Sequence, residues 1–405
     1  MNHLFIALST KGYGETALGI RVATELQERG DKCFFLAHQS AIPLLQSTTF
    51  PHMKTSDHAI GFLNLTLHTL IRKMKPDSIV LSDYFTTALA FEKAAIDPTF
   101  LKQLDISVGA IDTWDMEKSG SVIDVFGNEQ REFQDWSDVL DYRLIPVPIA
   151  RPDSDGPYYQ CFPDPIQITK KIKRHIHRDL AIPPNGKVVL FCSGEWQHAS
   201  FTSEHGNRLT RLLPKLVGQF IDKLGEDVFL VHVGPSSFAK VMNDRYRWLP
   251  SLAPDQFDML VASADVLLVA NASSTTIAKA LVTGIPAVVL MNSHAVTSVA
   301  DIHSQSGAVS KELEAWISEA APIYPFYMWP IGYYRFLKPL LDGNYFCDVV
   351  PMLEITNEHE VLRTLQLLLF EAGSRRDHIA RQMQYVEQLR LLPKAASLIK
   401  QNGRA

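Results

Sequence analysis

Residues 248–291 constrain the fold of this chain more than any other stretch, because helix and buried-strand patterns alternate along them. The run Val-Leu-Leu-Val at 266–269 has no polar interruption, which is typical of a parallel strand that is covered on both faces. A helical pattern follows and stops at Gly284, and a second apolar run occupies 287–290. The stretch therefore predicts a β-α-β unit of an open parallel sheet.

A turn of small polar residues separates the first of these strands from its helix. Its consecutive hydroxyl side chains are Ser273, Ser274, Thr275 and Thr276. In open parallel sheets, ligands bind beyond the carboxyl ends of the strands, where a helix start offers free backbone N–H groups and the positive end of its dipole. Capping of the helix accounts for one or two hydroxyls but not for a run of this length. We therefore expect the turn to bind an anion, with a diphosphate as the natural ligand.

The motifs of this stretch resemble those of a known family. The order PDQFDMLVASADVLL, SSTTIAKAL and TGIPAVVL is similar to the donor-binding half of GT-B glycosyltransferases, in particular their MurG-like and lipid-A-disaccharide-synthase-like branch. The resemblance implies an α/β fold of two Rossmann-like domains that face each other across a cleft, with a nucleotide-diphosphate pocket in the second domain. In that family an acidic residue five positions before the last motif's glycine commonly holds the ribose hydroxyls. Lys279 stands there in this chain, and we expect its ammonium to meet a phosphate, a carboxylate or no ligand group.

The same resemblance indicates further residues on the donor side. Ser193 and Gly194 come directly after an apolar strand pattern at 188–192, where the family has a loop that approaches the donor phosphates. His294 follows the strand at 287–290, where family members often touch the donor sugar, and we place it among the cleft residues.

The amino-terminal pattern also predicts a Rossmann-like domain. A strand at 4–8, a turn with two glycines, a helix at 16–29 and a strand at 33–37 follow one another. The turn lacks the third glycine of the dinucleotide fingerprint at its proper place, and no acidic residue closes the second strand. A standard NAD site is therefore disfavoured.

Three acidic residues follow predicted strands of this first domain, namely Glu15, Asp83 and Asp112. The carboxyl ends of parallel strands share one edge of the sheet, where function concentrates. Alignment of GETALGIR with the family's first loop places Glu15 where many members have a catalytic histidine. Glu15 is therefore a candidate general base toward an acceptor hydroxyl if burial raises its pKa; alternatively, it only stabilises the helix start. Asp83 and Asp112 are candidates for orienting the base or the acceptor, although aspartate is also common in turns and caps.

The turns after these strands contain other candidate residues on the acceptor side of the cleft. Tyr13 and Gly14 belong to the first turn, and Trp114 follows Asp112 closely. The resemblance implies that the first turn faces the acceptor.

The chain is expected to divide into three parts. The amino-terminal acceptor-side domain covers 1–165, the nucleotide-donor domain covers 166–350, and helices at 351–405 are expected to pack back on the first domain. Within the first part, residues 115–138 predict an exposed loop or an acceptor-side insertion, and residues 150–165 predict a linker rich in Pro, Asp and Gly.

An aromatic segment lies near the end of the second part. Eight of the thirteen residues at 324–336 are aromatic or Met. Such a segment forms interdomain core, or it forms an exposed surface for an apolar acceptor or for peripheral membrane contact.

Composition excludes several other classes of protein. The chain has 405 residues, of which 46% are hydrophobic and 20% charged, as in folded soluble proteins. Its net charge of −5 gives no general attraction to nucleic acid, and no apolar stretch reaches the roughly 20 residues that span a bilayer. No secretion signal is recognisable, and the four cysteines have neither metal nor disulfide spacing, which predicts a cytoplasmic protein.

The resemblance predicts a metal-independent glycosyltransferase. It would move a sugar from a nucleotide-diphosphate sugar to a small-molecule or lipid-linked acceptor, with no cofactor beyond the donor and no nucleic-acid partner. Two alternatives stay open. The first is a nucleotide-sugar epimerase or hydrolase on the same fold, and the second is a GT-B-like protein refitted for another phosphorylated substrate or for partner binding.

Overall fold

The computed structural model describes the chain in segments and divides it into two compact units. The described residues are 1–10, 13–116, 122–125, 129–132, 135–150, 152, 156–194, 204–235, 237, 244–291, 298–320 and 333–402. The first unit comprises Met1–Ser121, Glu132–Phe162 and Gln388–Ala405, and the second comprises Val122–Arg131 and Pro163–Glu387.

Strands and helices alternate along most of the described chain. The strands are β1 (Asn2–Ala7), β2 (Lys32–His38), β3 (His52–Thr55), β4 (Ser78–Leu81), β5 (Ser107–Ile111), β6 (Val122–Val125), β7 (Glu129–Glu132), β8 (Tyr142–Val147), β9 (Tyr158–Gln160), β10 (Lys187–Cys192), β11 (Val228–Val233), β12 (Tyr246–Leu249), β13 (Val266–Val269), β14 (Ala287–Met291) and β15 (Met352–Glu354). The α-helices are α1 (Gly14–Gln27), α2 (Ile42–Gln46), α3 (Leu63–Met74), α4 (Tyr84–Lys93), α5 (Lys170–Asp179), α6 (Glu204–Leu224), α7 (Pro254–Ser263), α8 (Thr275–Thr283), α9 (Val299–Ser306), α10 (Lys311–Ala320), α11 (Tyr333–Leu341), α12 (Phe346–Val349), α13 (Glu358–Phe370), α14 (Ala372–Leu389) and α15 (Ala395–Asn402). Short 3₁₀ segments span Gln39–Ala41, Asp57–Phe62 and Pro98–Gln103.

The first unit is built on a parallel sheet with the strand order β3-β2-β1-β4-β5-β8-β9. Its central strands are uninterrupted apolar runs, which are stable only when helices cover both faces. Phe5 of β1 stacks on Phe35 of β2 with the ring centroids 4.9 Å apart, and Val22 and Leu26 of α1 belong to the same core. The chain runs outward from β1 to β3 and then returns to β4. The switch point between β1 and β4 is where ligands bind in sheets of this kind.

The last helix, α15, belongs to the first unit and packs against α1. The Arg29 guanidinium donates to the Ala396 carbonyl at 2.8 Å and to the Ser397 hydroxyl at 2.7 Å. The buried Glu25 carboxylate accepts the Ala396 N–H at 3.3 Å, which satisfies one of the free amides at the helix start. The two preceding helices, α13 and most of α14, belong to the second unit instead.

The second unit is built on a parallel sheet with the order β12-β11-β10-β13-β14-β15. Its core combines apolar strand residues such as Phe191 with Phe220 of α6 and Trp316 of α10. Here the chain runs outward from β10 to β12 and returns to β13, so the switch point lies between β10 and β13.

Several short strands lie where the sequence predicts none. β9 falls within the predicted linker at 150–165 and pairs with β8, and β12 adds an edge to the second sheet. Within 115–138, where the sequence predicts an exposed loop or an acceptor-side insertion, β6 and β7 pair with each other, and residues 122–131 group with the second unit. Strands of three or four residues are too short to show alternation, and an available sheet edge determines them more than their own pattern does.

Two features of the chain bear on contact with a membrane: the length and hydropathy of its helices, and the aromatic segment at 324–336. Within the described ranges no helix is both long and apolar enough to span a bilayer. Most of the aromatic segment at 324–336 lies outside the described residues, and its end forms the start of α11. Contact of this segment with a membrane surface therefore stays a prediction.

Candidate functional site

The structure brings the three predicted acids to the switch-point edge of the first sheet. Glu15 lies in the first turn of α1 after β1, Asp83 follows β4, and Asp112 follows β5 directly. Asp83 is 2% exposed and Asp112 is fully buried, whereas Glu15 is partly exposed. Negative charges on Glu15 and on Asp112 both raise the pKa of Asp83, so the three carboxyls form one electrostatic cluster.

Asp83 is the most perturbed member of this acid cluster. Burial is the main cause that raises its pKa to about 7, and the charge of Glu15 adds to it. The Thr86 N–H donates to the carboxylate at 2.6 Å and opposes the shift, and Asp83 is also the N-cap of α4. Its surroundings therefore favour the protonated form more than those of an exposed aspartate do.

Asp112 is held by partners on both sides of its carboxylate. Burial raises its pKa to about 6, while the Met116 N–H at 3.0 Å and the Arg143 guanidinium at 3.1 Å favour the charged form. These contacts fix the orientation of Asp112 within the acid cluster.

Glu15 has the raised pKa that favours action as a general base. Burial of its carboxyl raises its pKa, although the Ser9 hydroxyl donates to it at 3.2 Å. Its place in the first turn of α1 also favours a negative charge through the helix dipole. Both roles proposed for Glu15 are therefore compatible with its surroundings.

The predicted acceptor-side residues differ in their environments. Tyr13 is the N-cap residue of α1 and is 53% exposed, so its ring is accessible, and Gly14 beside it is partly exposed. Trp114 is buried in the first unit, with only 8% of its surface exposed. His294 lies outside the described residues.

The hydroxyl-rich turn begins α8 at the switch point of the second sheet. Ser274 is the N-cap residue, yet its side chain makes no capping hydrogen bond. The Ser273 hydroxyl donates to the Asn271 side chain at 2.8 Å, while Thr276 is buried. The Ser274 hydroxyl therefore makes no capping hydrogen bond and lies at the amino end of α8. An anion bound there would find both a hydroxyl donor and the positive end of the helix dipole.

Lys279 is engaged by another helix of the same unit. Its ammonium pairs with the Asp258 carboxylate of α7 and lies 5.5 Å from the centre of the Phe257 ring. We expected the Lys279 ammonium to meet a phosphate, a carboxylate or no ligand group. It meets a carboxylate, and that carboxylate belongs to the chain itself.

Ser193 and Gly194 lie directly after β10, on the other side of the same switch point. The Ser193 Oγ is 2.7 Å from Nε2 of His232, and Nδ1 of that ring is 2.9 Å from the Tyr246 hydroxyl. Sequence reasoning missed His232 and Tyr246. His232 is one polar residue within the apolar run Val-Phe-Leu-Val-His-Val of β11, and such a residue is usually part of the core.

Across the described part of the chain, no group of three or more His, Cys, Asp or Glu side chains is arranged to hold a metal ion. The four cysteines are free, and burial raises the pKa of Cys33, Cys161 and Cys192 to about 12. These thiols are therefore unsuited to act as nucleophiles.

Solved structures of similar fold include glycosyltransferases and a putative UDP-N-acetylglucosamine 2-epimerase from Listeria monocytogenes, the latter with a TM-score of 0.56 at 10% identity and coverage of 96% of this chain and 94% of that one. The chain is similar to the spinosyn rhamnosyltransferase SpnG complexed with thymidine diphosphate, with a TM-score of 0.57, 12% identity and 99% of each chain covered. It is also similar to the spinosyn forosaminyltransferase SpnP, with a TM-score of 0.56, 14% identity and coverage of 99% of this chain and 98% of that one. For the glycosyltransferase VinC in complex with dTDP, the TM-score is 0.53 at 10% identity, with the same coverage of 99% and 98%. The predicted fold class is confirmed: two parallel α/β sheets with flanking helices, as in GT-B glycosyltransferases.

The sequence itself assigns the chain to a family. The chain belongs to the family of unknown function DUF6365, whose profile matches residues 22–402. A comparison with curated protein sequences gives no match.

Proposed function

We propose that the protein is a GT-B glycosyltransferase that transfers a sugar from a nucleotide-diphosphate sugar to a hydroxyl of a small-molecule or lipid-linked acceptor. The observation that carries this proposal is the acid cluster, in which the pKa of Glu15, of Asp83 and of Asp112 is raised. Perturbed carboxyls at the switch point of an open sheet are frequent signs of acid–base chemistry. The fold shared with glycosyltransferases supports the same class of reaction.

Glu15 is the general base in this proposal. Asp83 and Asp112 are buried, whereas Glu15 is partly exposed, so Glu15 is the member of the acid cluster to which we assign the acceptor hydroxyl. Its carboxylate removes the hydroxyl proton while the acceptor oxygen bonds to the anomeric carbon of the sugar. The bond from that carbon to the diphosphate breaks, and its electron pair leaves with the nucleoside diphosphate. Partial protonation of Asp83 reduces the repulsion that a charged Glu15 experiences.

The hydroxyl-rich turn and the start of α8 bind the leaving diphosphate. In this proposal, the Ser274 hydroxyl and the free amides of the first helical turn donate hydrogen bonds to the negative charge that develops as the sugar leaves. Ser193 and Gly194 approach the same anion from the neighbouring strand end. No cofactor beyond the donor substrate takes part in this scheme.

A panel of nucleoside diphosphates tests the donor half of the proposal. UDP, TDP, GDP, ADP and CDP are each added, and the melting temperature is recorded. A ligand present at about 100 times its dissociation constant stabilises the folded protein by roughly 2.7 kcal/mol, which such a scan resolves. If none of the five raises the melting temperature, the proposal fails, and the partner-binding alternative gains support.

The substitution Ser274→Ala connects that binding to the hydroxyl-rich turn. Because the Ser274 side chain makes no capping hydrogen bond, its removal should leave the melting temperature of the free protein almost unchanged. Affinity for the nucleoside diphosphate should fall about three- to tenfold, the usual effect of one lost hydrogen bond. Unchanged affinity would remove Ser274 from the binding site.

Nucleotide-sugars without an acceptor separate transfer from the hydrolase or epimerase alternative. A transferase should release little nucleoside diphosphate until an acceptor hydroxyl is supplied. Rapid release in the absence of an acceptor, or a change in the sugar at constant nucleotide, would instead favour the hydrolase or the epimerase.

A further inference from the structure

Asp115 has a backbone conformation that most side chains disfavour. Its φ is +45°, in the left-handed region, which residues other than glycine rarely adopt. The residue is also only 2% exposed, so this conformation does not belong to a surface loop. Strained backbone of this kind persists where the surrounding structure holds it in place, and it concentrates at functional sites. The contacts of Asp115 therefore indicate what the strain achieves.

The strained residue closes the turn that carries Asp112. The Asp115 N–H donates to the Asp112 carbonyl at 3.4 Å, and the next amide, that of Met116, donates to both oxygens of the Asp112 carboxylate at 3.0 and 3.2 Å. Since the φ and ψ angles of a residue set the direction of the amide that follows it, the left-handed backbone turns the Met116 N–H back onto the carboxylate. The Thr113 hydroxyl of the same turn donates to the Asp83 carboxylate at 3.4 Å. The turn therefore contacts two members of the acid cluster.

The side chain of Asp115 is anchored from β9. The Tyr158 hydroxyl donates to its carboxylate at 2.9 Å. The Tyr158 ring is 3% exposed and belongs to a small core cluster with Ile145 and Ala150, so the hydroxyl has a fixed position. A Cβ atom at Gly156 would lie 2.0 Å from the ring, so only glycine leaves the space that the ring occupies. The hydrogen bond from Tyr158 thus stabilises a conformation that the backbone by itself disfavours.

We infer that Asp115, anchored by Tyr158, is a positioning residue that fixes the carboxylate of Asp112 within the acid cluster. This inference rests on the function proposed above, which assigns its proton chemistry to that cluster. The position of the Asp112 carboxylate matters there because its negative charge is one of the causes that raise the pKa of Asp83. The charge of Asp115 also raises the pKa of Asp112, so experiments must separate the position of Asp115 from its charge.

Three substitutions of Asp115 remove its charge and differ in what they keep. Asp115→Asn keeps an oxygen that accepts from Tyr158, and asparagine tolerates the left-handed region. Asp115→Gly adopts the left-handed backbone without strain but has no side chain to anchor. Asp115→Ala keeps neither property, since its Cβ atom disfavours a positive φ. Because all three residues are uncharged, differences among the variants report position and not charge.

Two measurements on the ligand-free protein follow the hydrogen bond between Met116 and Asp112. Hydrogen exchange at the Met116 amide should be slowest in Asp115→Asn, faster in Asp115→Gly, and about tenfold faster in Asp115→Ala than in Asp115→Asn. The pKa of Asp112, measured by NMR of labelled aspartate, should be higher in Asp115→Ala than in Asp115→Asn by about 1, because the ionised form loses its donor. Exposed Ala95, with a φ of +52°, provides the matched control. Ala95→Gly relieves a left-handed residue of the same unit and should change neither quantity.

Tyr158→Phe tests the anchor. Removal of the hydroxyl should speed exchange at the Met116 amide, and it should do so more in the wild type than in Asp115→Gly, whose backbone no longer needs the anchor. A larger effect in Asp115→Gly would show that Tyr158 does not act through Asp115.

Kinetics connect this geometry with the proposed reaction. With the nucleotide-sugar that corresponds to the best diphosphate of the panel, kcat should be about ten- to a hundredfold lower in Asp115→Ala than in Asp115→Asn. The KM for the donor should not change, because its proposed contacts lie in the second unit. The pH profile of kcat should move in Asp115→Ala in the same direction as the pKa of Asp112.

Different outcomes overturn different claims. Equal exchange at Met116 and an equal pKa of Asp112 in the three uncharged variants would refute the inference and leave Asp115 only the effect of its charge. Unequal melting temperatures with equal pKa values would show a role in stability alone. If Asp115→Ala does not fold, the comparison of Asp115→Gly with Asp115→Asn decides in the same way. The expected order in a protein that transfers no sugar would support the positioning of Asp112 and refute only the proposed function.

Discussion

Asp83 has two properties that oppose each other, since its carboxylate caps α4 while burial and Glu15 favour its protonated form. Its pKa in the folded protein is about 7, above the ordinary value of 3.8, so ionisation of Asp83 opposes folding. This contribution to stability is complete below about pH 4 and is lost as the pH rises through about 7, with an upper bound of about 4 kcal/mol. The substitution Asp83→Asn cannot ionise but keeps an acceptor for the cap. We expect Asp83→Asn to raise the melting temperature clearly at pH 8 and less at pH 5.

Asp97→Asn is the matched control for this prediction. Asp97 also caps a helical turn, accepting the Thr99 N–H at 2.9 Å, but that hydrogen bond lowers its pKa. The substitution Asp97→Asn should therefore not raise the melting temperature at pH 8. Equal destabilisation by Asp83→Asn at both pH values would show that the ionised carboxylate stabilises the fold.

Glu15→Gln tests the base itself. The amide keeps the shape of the side chain but cannot accept a proton, and loss of a general base typically slows turnover by about 10²- to 10⁴-fold. Binding of the nucleoside diphosphate should be unchanged, because those contacts belong to the second unit. Steady-state kinetics of sugar transfer supply the measurement, with Glu28→Gln as the control, since Glu28 is an exposed acid that follows α1. Normal turnover in Glu15→Gln would leave only the helix-stabilising role.

The sequence locates the acids but not the hydrogen bonds of His232. Glu15, Asp83 and Asp112 could be predicted because each follows an apolar run, and strand ends of a parallel sheet share an edge. His232 gives no such signal, because Ser193 and Tyr246, to which it is hydrogen-bonded, are 39 and 14 residues away along the chain. Contacts of this kind follow from strand order and register, and neither is visible in a local pattern.

At the scale of elements, the docking of α15 on α1 depends on few polar contacts. Arg29 donates two hydrogen bonds, to the Ala396 carbonyl and to the Ser397 hydroxyl. Hydrogen bonds from a charged group contribute about 1.5–3 kcal/mol each, so Arg29→Ala should loosen α15. Hydrogen exchange at 395–402 should become faster, and the melting temperature should fall. Lys394→Ala, which removes only an exposed ion pair with a distance of 3.9 Å, should change neither. Protection of α15 that equals the wild type would show that apolar packing alone holds it.

The central strands could be predicted for a reason that does not apply to the edge strands β9 and β12. The run at 266–269 forms a strand with the predicted bounds because an uninterrupted apolar sequence must be covered on both faces. β9 and β12 have three and four residues, and their hydrogen bonds come from the neighbours β8 and β11. Their existence depends on tertiary structure, which explains why the predicted linker at 150–165 contains a strand.

At the scale of the whole molecule, both units follow the same plan. Each sheet reverses its strand order once, between β1 and β4 in the first unit and between β10 and β13 in the second. Acids gather at the first switch point and hydroxyls at the second. A carboxylate suits the removal of a proton, and a hydroxyl-rich helix start suits a diphosphate. Each edge therefore suits, by itself, the role that the proposed sugar transfer assigns to it.

This division of chemistry leads to a prediction about metal ions. The proposed leaving group, a nucleoside diphosphate, would be stabilised by the amino end of α8 and by the hydroxyls of its turn, which provide positive potential without a cation. Sugar transfer should therefore continue at an unchanged rate in excess EDTA, and added Mg²⁺ should not accelerate it. Product is best measured by direct chromatography, since coupling enzymes often need Mg²⁺ themselves. Loss of transfer in EDTA with recovery on addition of Mg²⁺ would show that a cation, rather than the helix start, neutralises the diphosphate.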